Sequence, residues 1–120
     1  IPLDQVKDIS HNILMRVIPS LLTNNLSEFG DGIHSIQRLG FKNVEMSLAH
    51  PEVLKLIEYA IEIGAKCAAL SSFGPTVAII EDEPEKINGI VKKIQKQFEE
   101  FAPEIIITEA NNTGARIEKN

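Results

Sequence analysis

A six-residue stretch between two apolar runs carries the most chemistry in this sequence: Ser71, Ser72, Phe73, Gly74, Pro75 and Thr76. A plain hairpin reverses the chain with about two turn residues, so this connection is longer than a hairpin requires. Gly74 permits unusual backbone angles, and Pro75 fixes the next φ. Successive amides and hydroxyls in such a bend could bind an anion. An ordinary tight connection would use the same residues, and both interpretations stay open.

The polar tail contains a second candidate group: Asn112, Gly114 and Arg116, in the run NNTGAR. An arginine guanidinium can clamp a phosphate or a carboxylate through paired hydrogen bonds. An isolated arginine more commonly lies in solvent. The tail therefore shares the ambiguity of the serine bend.

The remaining titratable residues indicate structure rather than catalysis. His11, His34 and His50 share no short metal-ligand spacing, and His50 stands where it can cap a helix. The acidic runs at 81–83 and 99–100 are explained by helix capping and by a solvated helix face. No P-loop or dinucleotide-binding glycine pattern occurs. The sequence therefore predicts no metal ligands and assigns no catalytic residue.

Composition restricts the class of protein. The chain has 120 residues, 43% of them hydrophobic, and a formal net charge of −5. This is typical of one globular domain, and the lack of a Lys/Arg cluster argues against nucleic-acid binding. No apolar run is long enough to cross a membrane. The single cysteine, Cys67, lies in an apolar run, which predicts a core residue and suits a reducing, cytoplasmic compartment.

The first forty residues predict a pair of helices. Apolar residues at helical spacing over 3–18 form the first, which Pro19 should kink or interrupt. The second begins behind Asn25, which can form a capping box with Glu28, and Gly40 ends it.

The second helix carries an apolar face and two glycines. Phe29, Ile33 and Ile36 are expected to be buried. Gly30 and Gly32 each cost about 1 kcal/mol in a helix interior, which favours close packing against a neighbour over the alternative, a backbone that approaches a ligand.

The rest of the chain predicts the order β-α-β-β-α-β. The elements are a strand at 44–48, a helix opened by His50-Pro51, strands at 66–72 and 76–81, a helix with a capping box from Asp82 to Glu85, and a strand at 105–107; the tail adds a possible short strand at 115–117. This order is an α+β, ferredoxin-like plan with a four-stranded antiparallel sheet. The expected organisation is a single domain, 1–120, with a helix pair at 3–39, a core at 42–110 and a tail at 111–120.

Two of the predicted strands leave apolar surface to be covered. The stretches 77–80 and 105–107 are apolar at successive positions, so both faces of the sheet should be buried. Helices from the βαβ units cover one face. The other must be covered by the N-terminal helices or by an absent partner, so we expect the chain to dimerise or to lack a neighbour.

Four segments carry a resemblance to a known family. LSSFGPTV, preceded by EIGAKCAA, with EFGDGIHSIQRLGF upstream and NTGARIE near the end, resembles the C-terminal domain of the GHMP-kinase superfamily over residues 12–118. Within the superfamily the sequence is similar to the branch of β-ribofuranosylaminobenzene 5′-phosphate synthases. The resemblance places residues 71–76 at the third family motif, facing an N-terminal domain. Serines stand where the kinases tend to have glycines, which is a departure from ATP-dependent members.

The resemblance implies a reaction. Phosphoribosyl diphosphate would condense with 4-hydroxybenzoate or 4-aminobenzoate, with loss of CO2 and diphosphate, in methanopterin biosynthesis. It further implies Mg²⁺ not bound by this domain alone, and a C-terminal fragment of a longer enzyme that is inactive without its N-terminal domain. The homodimer is expected from the uncovered apolar strands. The alternatives are the C-terminal domain of an ATP-dependent small-molecule kinase and a non-catalytic, ferredoxin-like ligand-binding module.

Overall fold

The first helix of the fold changes its winding just before a proline. The structure is a computed structural model that describes residues 2–119, in which α1 spans Leu3–Asn12, a π-helical segment spans Ile13–Val17 and α2 spans Ile18–Leu22. Proline has no N–H to donate, and its ring crowds the carbonyl one turn earlier. A single π turn is a known way for a helix to change its winding. The helix therefore changes its winding at Ile13–Val17, before Pro19, and the chain stays helical through the proline itself.

α3 spans Leu26–Gln37 and begins where the sequence predicts. Asn25 Oδ1 accepts a hydrogen bond from the Glu28 N–H at 3.1 Å, which is one half of the capping box. Glu28 directs its own carboxylate elsewhere, to Arg16 Nε at 2.5 Å. The helix ends at Gln37 rather than at Gly40.

The buried side of α3 is made of small and polar residues. Its buried positions are Gly30, Gly32 and Gln37. The face predicted to be buried is only half-buried: Phe29, Ile33 and Ile36. The two glycines therefore let the backbone of α3 lie close to the neighbouring elements.

α4 spans Gly40–Leu48, so the strand predicted at 44–48 is wrong. A short alternation of apolar residues also suits a helix, because Val44 and Leu48 then lie one turn apart; both are exposed, at 47% and 69%. Lys42 Nζ and Glu45 Oε2 are 2.8 Å apart. Residues three apart meet on a helix, whereas in a strand they point to opposite faces.

The elements that follow agree with the sequence. α5 spans Pro51–Glu62, β1 spans Cys67–Leu70, β2 spans Val77–Ile80 and α6 spans Pro84–Gln97. β1 and β2 are antiparallel, with Cys67 opposite Ile80 and Leu70 opposite Val77. His50 caps α5 as expected, because its Nδ1 accepts the Glu52 N–H at 3.0 Å.

The N-terminus of α6 differs from the prediction. The expected capping box from Asp82 to Glu85 is wrong: the residue at the cap position is Glu83, and its side chain makes no capping hydrogen bond. The amides of Asp82 and Glu83 instead donate to Glu81 Oε2, at 2.9 and 3.2 Å. Glu81 holds the turn that leads from β2 into the helix.

The protein is α+β, as predicted, and the described residues form two strands rather than four. Residues 105–107 and 115–117 form no strand in the described part of the chain. Ile105 packs against the core, while Ile106 and Ile107 are exposed, at 76% and 59%. Three apolar residues in a row do not specify a strand unless a partner edge is available to pair with them.

The core lies between the hairpin and helices α5 and α6. Its buried members are Val53, Leu56, Ile57, Ala60, Ala65, Ala68, Leu70, Ile90, Ile94 and Phe98. β1 is mostly buried, whereas in β2 half-buried residues alternate with exposed ones. This chain leaves one face of β2 partly uncovered, so its expected covering by an absent partner stays a prediction. Within residues 2–119, no helix is long and apolar enough to span a bilayer.

Side chains of α3 cover the outer edge of β1. Gln37 Oε1 accepts the Leu70 N–H at 2.8 Å, and Gln37 Nε2 donates to the Ala68 carbonyl at 3.2 Å. His34 Nε2 accepts the Ala68 N–H at 3.1 Å. An edge strand otherwise leaves such groups unpaired. Helix α3 therefore satisfies the edge of β1 in place of a neighbouring strand.

Candidate substrate-binding site

The serine bend, residues 71–76, closes the β1–β2 hairpin with two backbone hydrogen bonds. The Ser71 N–H donates to the Thr76 carbonyl at 2.9 Å, and the Gly74 N–H donates to the Ser71 carbonyl at 2.8 Å. Ser72 has φ = 51° and Gly74 has φ = 82°, both in the left-handed region that favours glycine. The backbone therefore folds back on itself within four residues.

The serine bend exposes unpaired hydrogen-bonding groups. The hydroxyls of Ser71, Ser72 and Thr76 make no hydrogen bond to any described residue, and all three residues are exposed. The N–H groups of Ser72 and Phe73 likewise have no acceptor within residues 2–119. Such neutral donors can bind a carboxylate, a phosphoryl oxygen or a sugar hydroxyl.

Lys42 fixes the serine bend from the first turn of α4. Its Nζ donates to the Leu70 carbonyl at 2.7 Å, to the Ser72 carbonyl at 2.9 Å and to Glu45 Oε2 at 2.8 Å. Lys42 was not predicted from the sequence, because the residues that follow it were assigned to a strand. The available signal was the spacing of three between Lys42 and Glu45, which suits a helical ion pair.

An aromatic pair borders the serine bend. The rings of Phe41 and Phe73 are 6.1 Å apart between centroids and nearly perpendicular, at 89°. Each residue is about half exposed, 54% for Phe41 and 53% for Phe73. Edge-to-face contact stabilises aromatic pairs and leaves ring surface available to a further ring. Phe41 is the second residue of this site that the sequence analysis missed.

The structure brings residues 71–76 together but places the tail candidates in a separate segment. Arg116 Nη2 pairs with Glu118 Oε1 at 3.2 Å, and Asn111 Nδ2 donates to the Gly114 carbonyl at 3.1 Å. Within residues 2–119, the hydrogen bonds and ion pairs of this segment join its own members. A binding role for Asn112, Gly114 and Arg116 therefore stays a prediction, as it does for the serine bend.

One cluster of three carboxylate side chains in the described part of the chain has the spacing of a metal site: Glu81, Asp82 and Glu83. Lys66 Nζ lies among them, 2.5 Å from Asp82 Oδ1, 3.0 Å from Glu83 Oε2 and 3.3 Å from Glu81 Oε2. These hydrogen bonds, with that to Asp82 first, raise the pKa of Lys66, and the Lys66 hydrogen bond lowers the pKa of Asp82.

The ammonium of Lys66 takes the place that a cation would occupy in this group. Glu81 Oε1 is buried and has no hydrogen-bond partner among the described residues, but Glu81 Oε2 already binds Lys66 and two amides. The group therefore does not fit a Mg²⁺ site.

The other reactive side chains belong to the core or to its surface. Cys67 is a buried free thiol, and burial raises its pKa to about 11, which leaves it protonated and unreactive. A surface hollow of about 350 Å³ lies between α5 and α6, lined in part by Tyr59, Gln97 and Phe98. It includes no residue of the serine bend.

Sequence comparison agrees with this architecture. The family described as "GHMP kinases C terminal" matches residues 17–100, and the chain belongs to that family. The predicted family resemblance is confirmed.

Three curated relatives share one name, β-ribofuranosylphenol 5′-phosphate synthase. The protein of Methanocaldococcus jannaschii is 42% identical over 98% of this chain, that of Methanothermobacter thermautotrophicus 37% over 96%, and that of Archaeoglobus fulgidus 37% over 98%. The chain spans about a third of their length: 34%, 34% and 36%. No solved structure matches the chain.

Proposed function

We propose that this chain is the C-terminal domain of a β-ribofuranosylphenol 5′-phosphate synthase. The observation that carries the proposal is 42% identity over 98% of the chain to a relative of that name. The relatives are about three times as long, so the proposal includes an N-terminal domain of the same polypeptide, without which this domain is inactive. The GHMP C-terminal match over 17–100 supports that division.

The proposed reaction is a glycosyl transfer that forms a carbon–carbon bond in methanopterin biosynthesis. The C1–O bond of phosphoribosyl diphosphate breaks, and diphosphate leaves with the bonding electrons. The ring carbon that bears the carboxylate of the aromatic acid then bonds to C1. CO2 departs and leaves its bonding electrons to the ring, which becomes aromatic again. A phenol product, as in the relatives' name, corresponds to 4-hydroxybenzoate rather than 4-aminobenzoate.

Residues 71–76, with Asn112, Gly114 and Arg116, are proposed to contribute to the substrate site. The bend supports this role through its unpaired hydroxyls and amides, which are already held in place by Lys42. Donors fixed in advance stabilise bound charge without reorganisation. The tail would have to approach the bend when the remaining wall of the site is present.

We also propose a metal requirement, a cellular location and an oligomeric state for the enzyme. We propose a Mg²⁺ requirement for the whole enzyme, with protein ligands outside this chain, because its described carboxylate group surrounds Lys66. A cytoplasmic location is supported by the free cysteine, and a homodimer by the exposed apolar helix faces. Of the ferredoxin-like plan for this domain, we retain the part that is supported by the hairpin packed on α5 and α6.

The test is an assay of the full-length protein. With phosphoribosyl diphosphate and carboxyl-labelled 4-hydroxybenzoate, we expect labelled CO2 and diphosphate to be released in equal amounts. The matched control replaces phosphoribosyl diphosphate with ATP and a small-molecule alcohol, because the family description favours kinases as the second candidate. Phosphate transfer from ATP without CO2 release would decide for the kinase, and neither activity would contradict both proposals.

A further inference from the structure

We infer that the serine bend and the Phe41–Phe73 pair bind the aromatic acid, and that phosphoribosyl diphosphate binds elsewhere in the enzyme. This inference rests on the proposed function and assigns one of its two substrates to this surface. It follows from the charge, the aromatic surface and the hydrogen-bond donors of the site.

The charge at the serine bend favours a substrate with a single negative charge over a diphosphate. Within residues 2–119, the cation bound to the bend is Lys42, and its Nζ already serves two carbonyls and the carboxylate of Glu45. The Lys42 and Glu45 side chains are largely buried, 23% and 12% exposed. The bend is therefore close to electrically neutral. A diphosphate group carries several negative charges and is usually bound by cationic side chains or a metal ion. Among residues 2–119, the cation bound to the bend, Lys42, has no free donor for such a group.

The exposed rings of Phe41 and Phe73 favour an aromatic substrate. Phe41 and Phe73 lie edge to face on an exposed surface, where each leaves about half of its area in water. A planar substrate ring can pack against such a pair and gain both apolar burial and aromatic contact. Ribose and phosphate have no comparable planar apolar surface.

The hydrogen-bond donors of Ser72, next to the rings, favour a carboxylate on the substrate. Ser72 lies beside Phe73 in the chain, and its hydroxyl and N–H have no partner among the described residues. A carboxylate with a single charge can be bound by neutral N–H and O–H donors. An aromatic ring that bears one carboxylate therefore matches both halves of the surface. Lys42 acts as a positioning residue, because it orients the bend and has no free donor to offer.

The experiment uses the full-length enzyme and separates the two substrates. Phe73→Leu keeps an apolar side chain and removes the ring, and Ser72→Ala removes one hydroxyl. Phe101→Leu is the matched control, since Phe101 is also exposed, at 41%, but stacks on His50. We expect Phe73→Leu to raise KM for 4-hydroxybenzoate about tenfold, the factor that corresponds to about 1.4 kcal/mol. KM for phosphoribosyl diphosphate should change less than about twofold, and Phe101→Leu should change neither.

Two outcomes of the Phe73→Leu measurement would overturn the inference. An equal or larger rise in KM for phosphoribosyl diphosphate would assign the surface to that substrate. Unchanged KM values would remove the ring from substrate binding, and a lower unfolding temperature beside them would mean that the aromatic pair packs against the rest of the polypeptide.

A binding measurement distinguishes failure of this inference from failure of the proposed function. Equilibrium dialysis of labelled 4-hydroxybenzoate needs no turnover. If the full-length protein forms no ribofuranosyl product, the proposed function fails. Binding of 4-hydroxybenzoate that is weakened in Phe73→Leu would still support the site, and absence of binding to the unmodified protein would overturn it.

Discussion

The imidazole of His34 acts as a hydrogen-bond acceptor in the fold. Its Nε2 accepts the N–H of Ala68 at 3.1 Å, on the edge of β1 that α3 covers. Burial lowers the pKa of His34 below 6.5; Asp31 partly opposes this shift and Arg38 adds to it. A proton on Nε2 would replace the acceptor with a second donor facing the amide. The neutral form of His34 is therefore part of the native structure.

This arrangement predicts a loss of stability at mildly acidic pH. The native state binds the proton less readily than the unfolded state, whose histidine pKa is about 6.5. The contribution to the free energy of unfolding is complete above about pH 6.5 and declines as pH falls through the native pKa. Urea unfolding of the 120-residue chain at about pH 8 and about pH 5 measures the change. His34→Gln keeps an acceptor without titration and should lose less stability on acidification than the unmodified chain.

The control for this measurement is His11→Gln, at an exposed position of α1. It should lose as much stability on acidification as the unmodified chain. Equal pH dependence of the His34→Gln variant and the unmodified chain would contradict the assigned role of His34.

At residue level the sequence predicted part of the candidate site. The residues of the bend were singled out because six residues, five of them polar or turn-forming, exceed what a hairpin needs. Lys42 and Phe41 were missed because they lie about thirty positions earlier in the chain. Only the packing of α4 against the hairpin brings them to the bend. Periodicity within one element carries no information on which elements become neighbours.

Gly30 shows at element level how the α3–β1 contact depends on one missing side chain. A Cβ at Gly30 would lie 1.7 Å from the Lys66 carbonyl oxygen, far inside contact distance. The backbone of α3 could not keep its position beside β1 with any other residue there. The close-packing interpretation of the two helix glycines is therefore confirmed for Gly30.

This contact predicts opposite effects for two glycine-to-alanine substitutions. Gly30→Ala should lower the free energy of unfolding by about 3 kcal/mol or more, because helix or strand must shift. Gly89→Ala in α6 has nothing within 4 Å of the added Cβ. It should raise stability by about 0.5–1 kcal/mol through better helix propensity. Urea titrations of both variants measure the pair, and a neutral Gly30→Ala would refute the close contact.

The elements that were predicted correctly have signals at both ends. α5 begins at His50-Pro51, and α6 begins at Pro84 and carries a long apolar stripe, so both were found. α4 has nine residues and begins at a glycine with φ = 54°, a start that propensity does not predict. The prediction of a four-stranded sheet did not hold in the described residues for a related reason. Strand formation depends on an available edge, and α3 side chains occupy the outer edge of β1.

At the scale of the whole molecule, apolar side chains are exposed from α1 through the π-helical segment to α2, which together form the α1–α2 surface. The large exposed residues there are Leu3, Val6, Ile13, Leu14, Met15, Ile18, Leu21 and Leu22. Leu22 is 83% exposed and Met15 is 66% exposed. Large exposed apolar residues that are concentrated in one segment of a globular domain commonly mark an interface. The sequence-based expectation of a dimer or a missing neighbour stays a prediction, and this surface is its most direct support.

The last prediction concerns the state of the isolated chain in solution. Whether the proposed N-terminal domain or a second copy normally covers the surface, both are missing from a dilute monomer, so isolated chains should associate through it. Sedimentation velocity should show a concentration-dependent shift from monomer to dimer or larger species. Leu14→Glu with Leu22→Glu should restore the monomer without changing helix content, because a buried unpaired charge opposes association. The matched control places glutamate at Ile106 and at Ile117, which are also exposed, at 76% and 95%. A chain that stays monomeric at every concentration, or one that only the control variant dissociates, would exclude the α1–α2 surface as the interface.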